Sequence, residues 1–215
     1  MKNENILFKK QGISNKLDKN ISCKILDPNV SGNTSKIAEI KRIFVGSLQE
    51  IGIGGFSYEI DKVFDSYSLY FIAEDENEIV SFLRMVFKSP LNKLPIETGY
   101  IIDTNAFHVI NEHKSVELTT FWCKDFLSLE PLARMSFEYL YKAGIKNVYS
   151  TKEVGEKKIG SIYRRLGLKP SDSLKKIYYP TYGRVDKEGS FIPIVWQIYE
   201  GDKERINFIA KKFKC

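Results

Sequence analysis

Apolar and polar positions follow two periods along this chain, and the places where one period gives way to the other mark out its elements. The pattern is densest between residues 116 and 170. Positions 116–124 read as a strand, 129–143 as a helix, 146–152 as a short strand and 154–166 as a second helix. In the first helix Leu132, Met135, Ser136, Tyr139 and Leu140 recur at three- and four-residue spacing, which gives it one apolar face. Gly144 and Gly167 stand just past the two helices, where a left-handed C-cap suits glycine, and Pro170 follows as a breaker. A strand–helix–strand unit of this kind requires a right-handed crossover and a covered sheet.

Upstream, 21–26 alternates as a first strand. The turn-rich 28–34 offers Ser31, Asn33 or Thr34 as the cap of a helix that runs to about Gln49. That helix carries Ile37, Ile40, Ile43, Phe44 and Leu48 on one face. The glycine-rich Ile51-Gly52-Ile53-Gly54-Gly55 reads as a loop, because it follows a helix and lacks the Lys-Ser/Thr of a phosphate cradle. An irregular stretch with Tyr58, Glu59, Asp61, Phe64 and Asp65 leads into strands at 67–73 and 79–88 around a polar hairpin turn. Residues 100–104 form a short strand, and beyond the dense region 176–182 and 191–199 are strand-like. The tail past Gly201 is an amphipathic helix with Ile206, Ile209, Ala210 and Phe213 on one side. This order implies an α/β (α+β) chain whose central sheet is mixed and mostly antiparallel, flanked by helices, with one parallel pair at its centre.

Composition narrows the class. With 215 residues, 43% hydrophobic and 13% aromatic, the chain can bury a core. It divides into a flexible lead-in (1–20), one folded domain (21–199) and the C-terminal amphipathic helix (200–215). Three dispersed cysteines, Cys23, Cys123 and Cys215, exclude a disulfide framework and a zinc site, so a cytoplasmic setting is expected and no metal. The first twenty residues lack the apolar core of a signal peptide, and no apolar run reaches transmembrane length. The net charge of +6 suits an acidic partner, but no nucleic-acid-binding motif accompanies it.

The segment Ser161-Ile162-Tyr163-Arg164-Arg165-Leu166-Gly167-Leu168 resembles the last helix of the GNAT acyltransferase fold, where a tyrosine stands four residues before a Gly-hydrophobic pair. The element order of 21–199 resembles the same fold. The resemblance implies a parallel pair splayed at its end, a thioester's pantetheine arm in the gap, and Tyr163 pointing at the thioester sulfur.

The run Asp61-Lys62-Val63-Phe64-Asp65 and the later Phe82-Leu83-Arg84-Met85 resemble the front half of acyl-homoserine-lactone (autoinducer) synthases and of N-acyl amino acid synthases. In those families the fourth strand carries Glu and, three residues on, Arg. Here Glu117 matches and Thr120 stands in the arginine's place. The resemblance implies an N-acyltransferase, with Glu117 as general base and Tyr163 assisting the leaving thiol. Arg84, beside Asp61 and Asp65, would hold the acceptor's carboxylate, pair with one of those aspartates, or do both. Backbone near Phe121, Trp122 and Cys123 would face the reacting carbonyl. The turn Lys124-Asp125-Phe126-Leu127-Ser128-Leu129-Glu130-Pro131 has no glycine to admit a pyrophosphate. No bound cofactor is expected; the acyl thioester is a co-substrate, carried on the 4′-phosphopantetheine of acyl-carrier protein or on coenzyme A. Lys124, Arg134, Arg164 and Arg165 would meet an acidic carrier, and the acceptor would be a small amine or amino acid. Two other readings stand beside this one: a coenzyme A-dependent acetyltransferase, and a non-catalytic protein that binds an acyl or carrier ligand.

Overall fold

The computed structural model describes residues 21–56 and 61–212, apart from the side chain of Phe126. The lead-in at 1–20, Tyr58, Glu59, Phe213 and Cys215 lie outside the described residues. In chain order the elements are β1 (Ser22–Leu26), α1 (Thr34–Glu50), β2 (Ile53–Gly54), β3 (Ser68–Asp75), β4 (Glu78–Phe87), β5 (Tyr100–Ile101) and β6 (Ser115–Cys123). They continue with α2 (Phe126–Lys142), β7 (Asn147–Glu153), α3 (Lys158–Arg165), β8 (Lys169–Pro170), β9 (Ile177–Val185), β10 (Phe191–Asp202) and α4 (Lys203–Lys212).

Among the described residues ten strands form one sheet, in the order β1-β3-β4-β6-β7-β10-β9-β2, with β5 beside β9 and β8 beside β10. Among these described strands only β6 and β7 run parallel; their crossover is α2. The β3–β4 hairpin turns through Glu76 and Asn77, both at positive φ, as a tight two-residue turn requires. On one face the apolar sides of α2, α3 and α4 cover Phe71, Met85, Val116, Leu118 and Val148. On the other, Ile37 and Ile40 of α1 pack on Tyr70, Ile72 and Phe82. The long β4–β6 connector adds Leu94, Ile96 and Ile110 to that second face.

Several expectations shift: the strand expected at 100–104 is only Tyr100–Ile101, and Pro170, expected as a breaker, lies in β8. The segment around Ile53 is a short strand paired with Arg184 and Gly183 of β9, not a loop throughout. No side chain caps α1: a 3-10 turn over Ser31–Asn33 feeds it, and Asn33 instead donates to the carbonyl of Asp27. Helix α3 starts at Lys158 instead of residue 154. Gly155 sits at φ +92, and the carboxylate of Glu156 accepts from the Lys158 and Ile159 amides, so the helix begins only there.

Candidate active site

β6 and β7 pair from Ser115↔Asn147 to Leu118↔Ser150 and then part. The cause lies in β6. Its register with β4 passes from Arg84↔Thr119 directly to Phe82↔Trp122, so Thr120 and Phe121 both oppose Leu83. Thr120 takes φ +46, a conformation that β-branched residues rarely adopt. Such a bulge bends its strand and terminates regular pairing. Beyond Leu118, β6 has no β7 partner, and its backbone borders open space.

A cavity of about 290 Å3 occupies that space. Side chains alternate along a strand, so Glu117 points away from Val116 and Leu118, which pack under α2. Val148, Ser150 and Lys152 share the buried phase of β7 and face α3. The cavity is lined both by Glu117 and by Ile159 and Tyr163 of α3, and so reaches through the sheet from one face to the other. On the Glu117 side its walls are largely aromatic and aliphatic, from Phe44, Leu48, Phe56, Tyr182 and Trp196.

Glu117 is 1% exposed. One carboxylate oxygen accepts the Ile96 amide at 2.8 Å. Burial pushes the carboxyl up to about 8; the Ile96 hydrogen bond and the Arg84 charge oppose that, and the Glu97 charge adds to it. A carboxyl poised there can take a proton from an amine and give one to a thiolate.

Tyr163 stands where the strands part. Its hydroxyl donates to the carbonyl of Thr151 at 3.0 Å, and the Ser150 hydroxyl lies 2.7 Å away, also within reach of the Leu118 carbonyl at 2.9 Å. Burial raises its pKa above the usual tyrosine value. That burial makes full proton transfer from Tyr163 to a thiolate uphill. What the hydroxyl offers, once its one proton turns from the Thr151 carbonyl, is a hydrogen bond.

Arg84 is also in the cavity wall, but its fork is occupied. Both terminal nitrogens grip the Asp61 carboxylate, Nε donates to Thr119 at 3.0 Å, and the Tyr70 hydroxyl lies at 3.3 Å. Asp65 takes Lys41 and the Tyr70 hydroxyl and touches Arg84 at 3.4 Å. The arginine that the resemblance assigns to an acceptor's carboxylate therefore closes an internal ion-pair network.

Phe121 and Trp122 line the cavity; Cys123 does not. Cys123 is paired with Ser81 in the sheet, and burial pushes its thiol up to about 12. Lys124, Arg134, Arg164 and Arg165 are exposed and outside the lining, with Lys124 paired to Glu78 at 3.0 Å. At the start of α2 the carboxylate of Asp125 accepts the Ser128 amide at 2.9 Å, so the helix N-terminus already holds an anion.

Two buried charges that bear on the cavity, Glu97 and Lys152, escaped the sequence reading. Glu97, 2% exposed, accepts from Leu94 and Ile110 amides and pairs with Lys88 at 2.7 Å, which fastens the connector whose Ile96 amide reaches Glu117. Lys152 is 8% exposed and lines the cavity. Its signal was present: it falls on the buried phase of a strand that alternates by two.

No family model and no curated protein matches this sequence. Solved structures do match. FeeM, an N-acyl amino acid synthase from uncultured soil microbes, superposes with a TM-score of 0.60 at 13% identity, covering 89% of this chain and 97% of that one. An N-acetyltransferase from Staphylococcus aureus gives 0.54 at 8% identity, covering 86% and 99%. An acetyltransferase of the GNAT family from Streptococcus pneumoniae gives 0.53 at 10%, covering 85% and 99%. Likeness at such low identity speaks to architecture, and together with the mixed sheet and its single parallel pair it establishes that this chain has the GNAT fold.

Proposed function

We propose that this chain transfers an acyl group from a thioester to the nitrogen of an amine. One observation carries the reading: a single cavity crosses the sheet where β6 and β7 part, with Glu117 in its wall on one face and Tyr163 on the other. The thioester lies on the α3 side, its sulfur toward Tyr163, and the amine approaches from the side of Glu117. Nitrogen attacks the carbonyl carbon, the carbon–sulfur bond breaks, and one amine proton passes to Glu117. The oxyanion is met by β6 backbone near Thr120 and Phe121, which has no β7 partner. A carboxylic acid titrating at about 8 is more acidic than an alkyl thiol, so the proton taken by Glu117 can end on the leaving thiolate while Tyr163 hydrogen-bonds to it.

For the donor, the Asp125 carboxylate on the α2 amides and the absence of glycine in that turn disfavour a diphosphate there. This supports a donor held through its acyl and pantetheine parts, such as acyl-carrier protein, with Lys124, Arg134, Arg164 and Arg165 facing the carrier. The name carried by the FeeM structure supports an amino acid as acceptor. A second reading, acetyl transfer from coenzyme A, is favoured by the names of the Staphylococcus aureus and Streptococcus pneumoniae proteins.

The test is amine-dependent thiol release, with the amide identified by mass spectrometry, using acetyl-coenzyme A, a long-chain acyl-coenzyme A and acyl-carrier protein. Release with the carrier well above acetyl-coenzyme A supports the first reading, and the reverse order supports the second. No release with any donor overturns both and leaves a binding protein.

A further inference from the structure

Two cations stand in the cavity wall, and they differ in what they hold. Arg84 is committed to Asp61. Among the described residues the ammonium of Lys152 meets only two neutral carbonyls, of Glu153 at 3.0 Å and of Glu156. A lysine has three N–H donors, so one remains. Among the described residues no carboxylate lies within ion-pair reach of it. The neighbouring acids are turned elsewhere: Glu156 accepts the Lys158 and Ile159 amides, each at 2.7 Å, and Glu153 pairs with Arg184 at 2.6 Å. Buried charge is ordinarily paired, because desolvation leaves an isolated ion costly.

The route of the side chain is also built. A Cβ at Gly160 would stand 3.2 Å from Cδ and Cε of Lys152, so the bare helix surface lets the stem lie flat beneath α3. Lys152 shares its face with Ser150, two residues or ~7 Å back along β7, and Ser150 contacts Tyr163. The cation is therefore on the side of the gap assigned to the thioester.

We propose that Lys152 is a carboxylate-binding subsite, and that the substrate bound in this cavity carries a carboxylate which completes the missing ion pair. Its source is either the far end of a dicarboxylic acyl group or the carboxylate of an amino-acid acceptor. The assignment to a substrate rests on the acyl-transfer reading, whereas the anion subsite itself does not.

The first measurement needs no turnover. Wild-type protein with 15N-labelled lysine is titrated with glutarate and separately with its neutral diamide, and the Lys152 ammonium signal is assigned by its loss in Lys152→Arg. Glutarate should shift that signal saturably and the diamide should not. The second measurement compares succinyl-pantetheine with pentanoyl-pantetheine, and leucine with leucinamide, in wild type and Lys152→Met. One pair should show a preference of at least about tenfold for the carboxylate, absent in Lys152→Met, and which pair shows it identifies the source. Saturable glutarate binding in a protein that transfers nothing upholds the subsite and removes the acyl-transfer reading. No glutarate shift, or a carboxylate preference that survives in Lys152→Met, overturns the subsite. If Lys152→Met does not fold, the wild-type titration decides.

Discussion

Replacing Glu117 by Gln should make the protein more stable and less active, and pH sets the size of the first effect. The folded chain keeps this carboxyl protonated up to about 8, against 4.5 for the ordinary group. Between those values the unfolded chain ionises and the folded chain does not, so stability falls by ~1.4 kcal/mol for each pH step upward. The loss reaches about 3 kcal/mol at pH 7 and levels off near ~5 kcal/mol once the folded carboxyl ionises too. Gln is nearly isosteric, stays neutral, and its amide oxygen can still accept the Ile96 N–H. All other groups titrate in both proteins, so the difference between them isolates Glu117. Any fixed cost of burying the amide N–H2 moves the whole curve, and the slope carries the test. Urea unfolding of both proteins at several pH values from 4.5 to 8 reads it directly. With a denaturant slope of ~2 kcal/mol/M, the midpoint gap should grow by about 1.5 M between the acid end and pH 7. A gap that is flat across that window, or that closes as pH rises, refutes the assignment of a protonated buried carboxyl. Turnover should fall by about two orders of magnitude in the same variant.

Other perturbations separate scaffold from chemistry. Arg84→Met should cost ~3–5 kcal/mol in chemical denaturation by leaving Asp61 only its longer Lys41 contact at 4.0 Å, and adding Asp61→Leu should recover most of it. Asp125→Ala should destabilise by about 1 kcal/mol in thermal unfolding and strengthen coenzyme A binding by calorimetry, because the α2 amides lose their internal anion. Asp125→Asn, which keeps the cap, should fall between wild type and Asp125→Ala in that affinity. Tyr163→Phe should lower turnover less than about tenfold, since solvent and Glu117 can both supply the proton, while unfolding shows a loss of about 1 kcal/mol from the broken Thr151 contact.

The architecture was legible where the apolar period changes sharply. β3, β4, α2 and β7 all lie within a few residues of where alternation or helical spacing places them. α3 was harder, because the helical spacing of Val154 onward continues through a turn that only Gly155 and the Glu156 cap reveal. The bulge at Thr120 was not legible at all. Nothing in a threonine announces φ +46; the conformation is imposed by the two residues of β6 that face Leu83 alone. The site was readable in part for a related reason. Glu117 and Tyr163 are intrinsic to their strand and helix, and the fold brings both to one cavity. Arg84 depends on who meets it first, and Asp61, twenty-three positions away, is a tertiary neighbour.

That dependence separates the buried charges of this protein into two groups. Arg84 with Asp61, Lys41 with Asp65, Lys88 with Glu97, and Lys24 and Lys36 with Glu74 are each closed by an internal counter-ion. They hold the sheet, the β4–β6 connector and α1 in register, and their removal should be felt as lost stability. Glu117 and Lys152 are the departures. One is kept neutral by burial and the other faces carbonyls alone, and both lie in the wall of the same cavity. Among the described residues neither of these two is closed by an ion pair. The least costly way to complete them is a ligand that brings a protonatable nitrogen to one and an anion to the other.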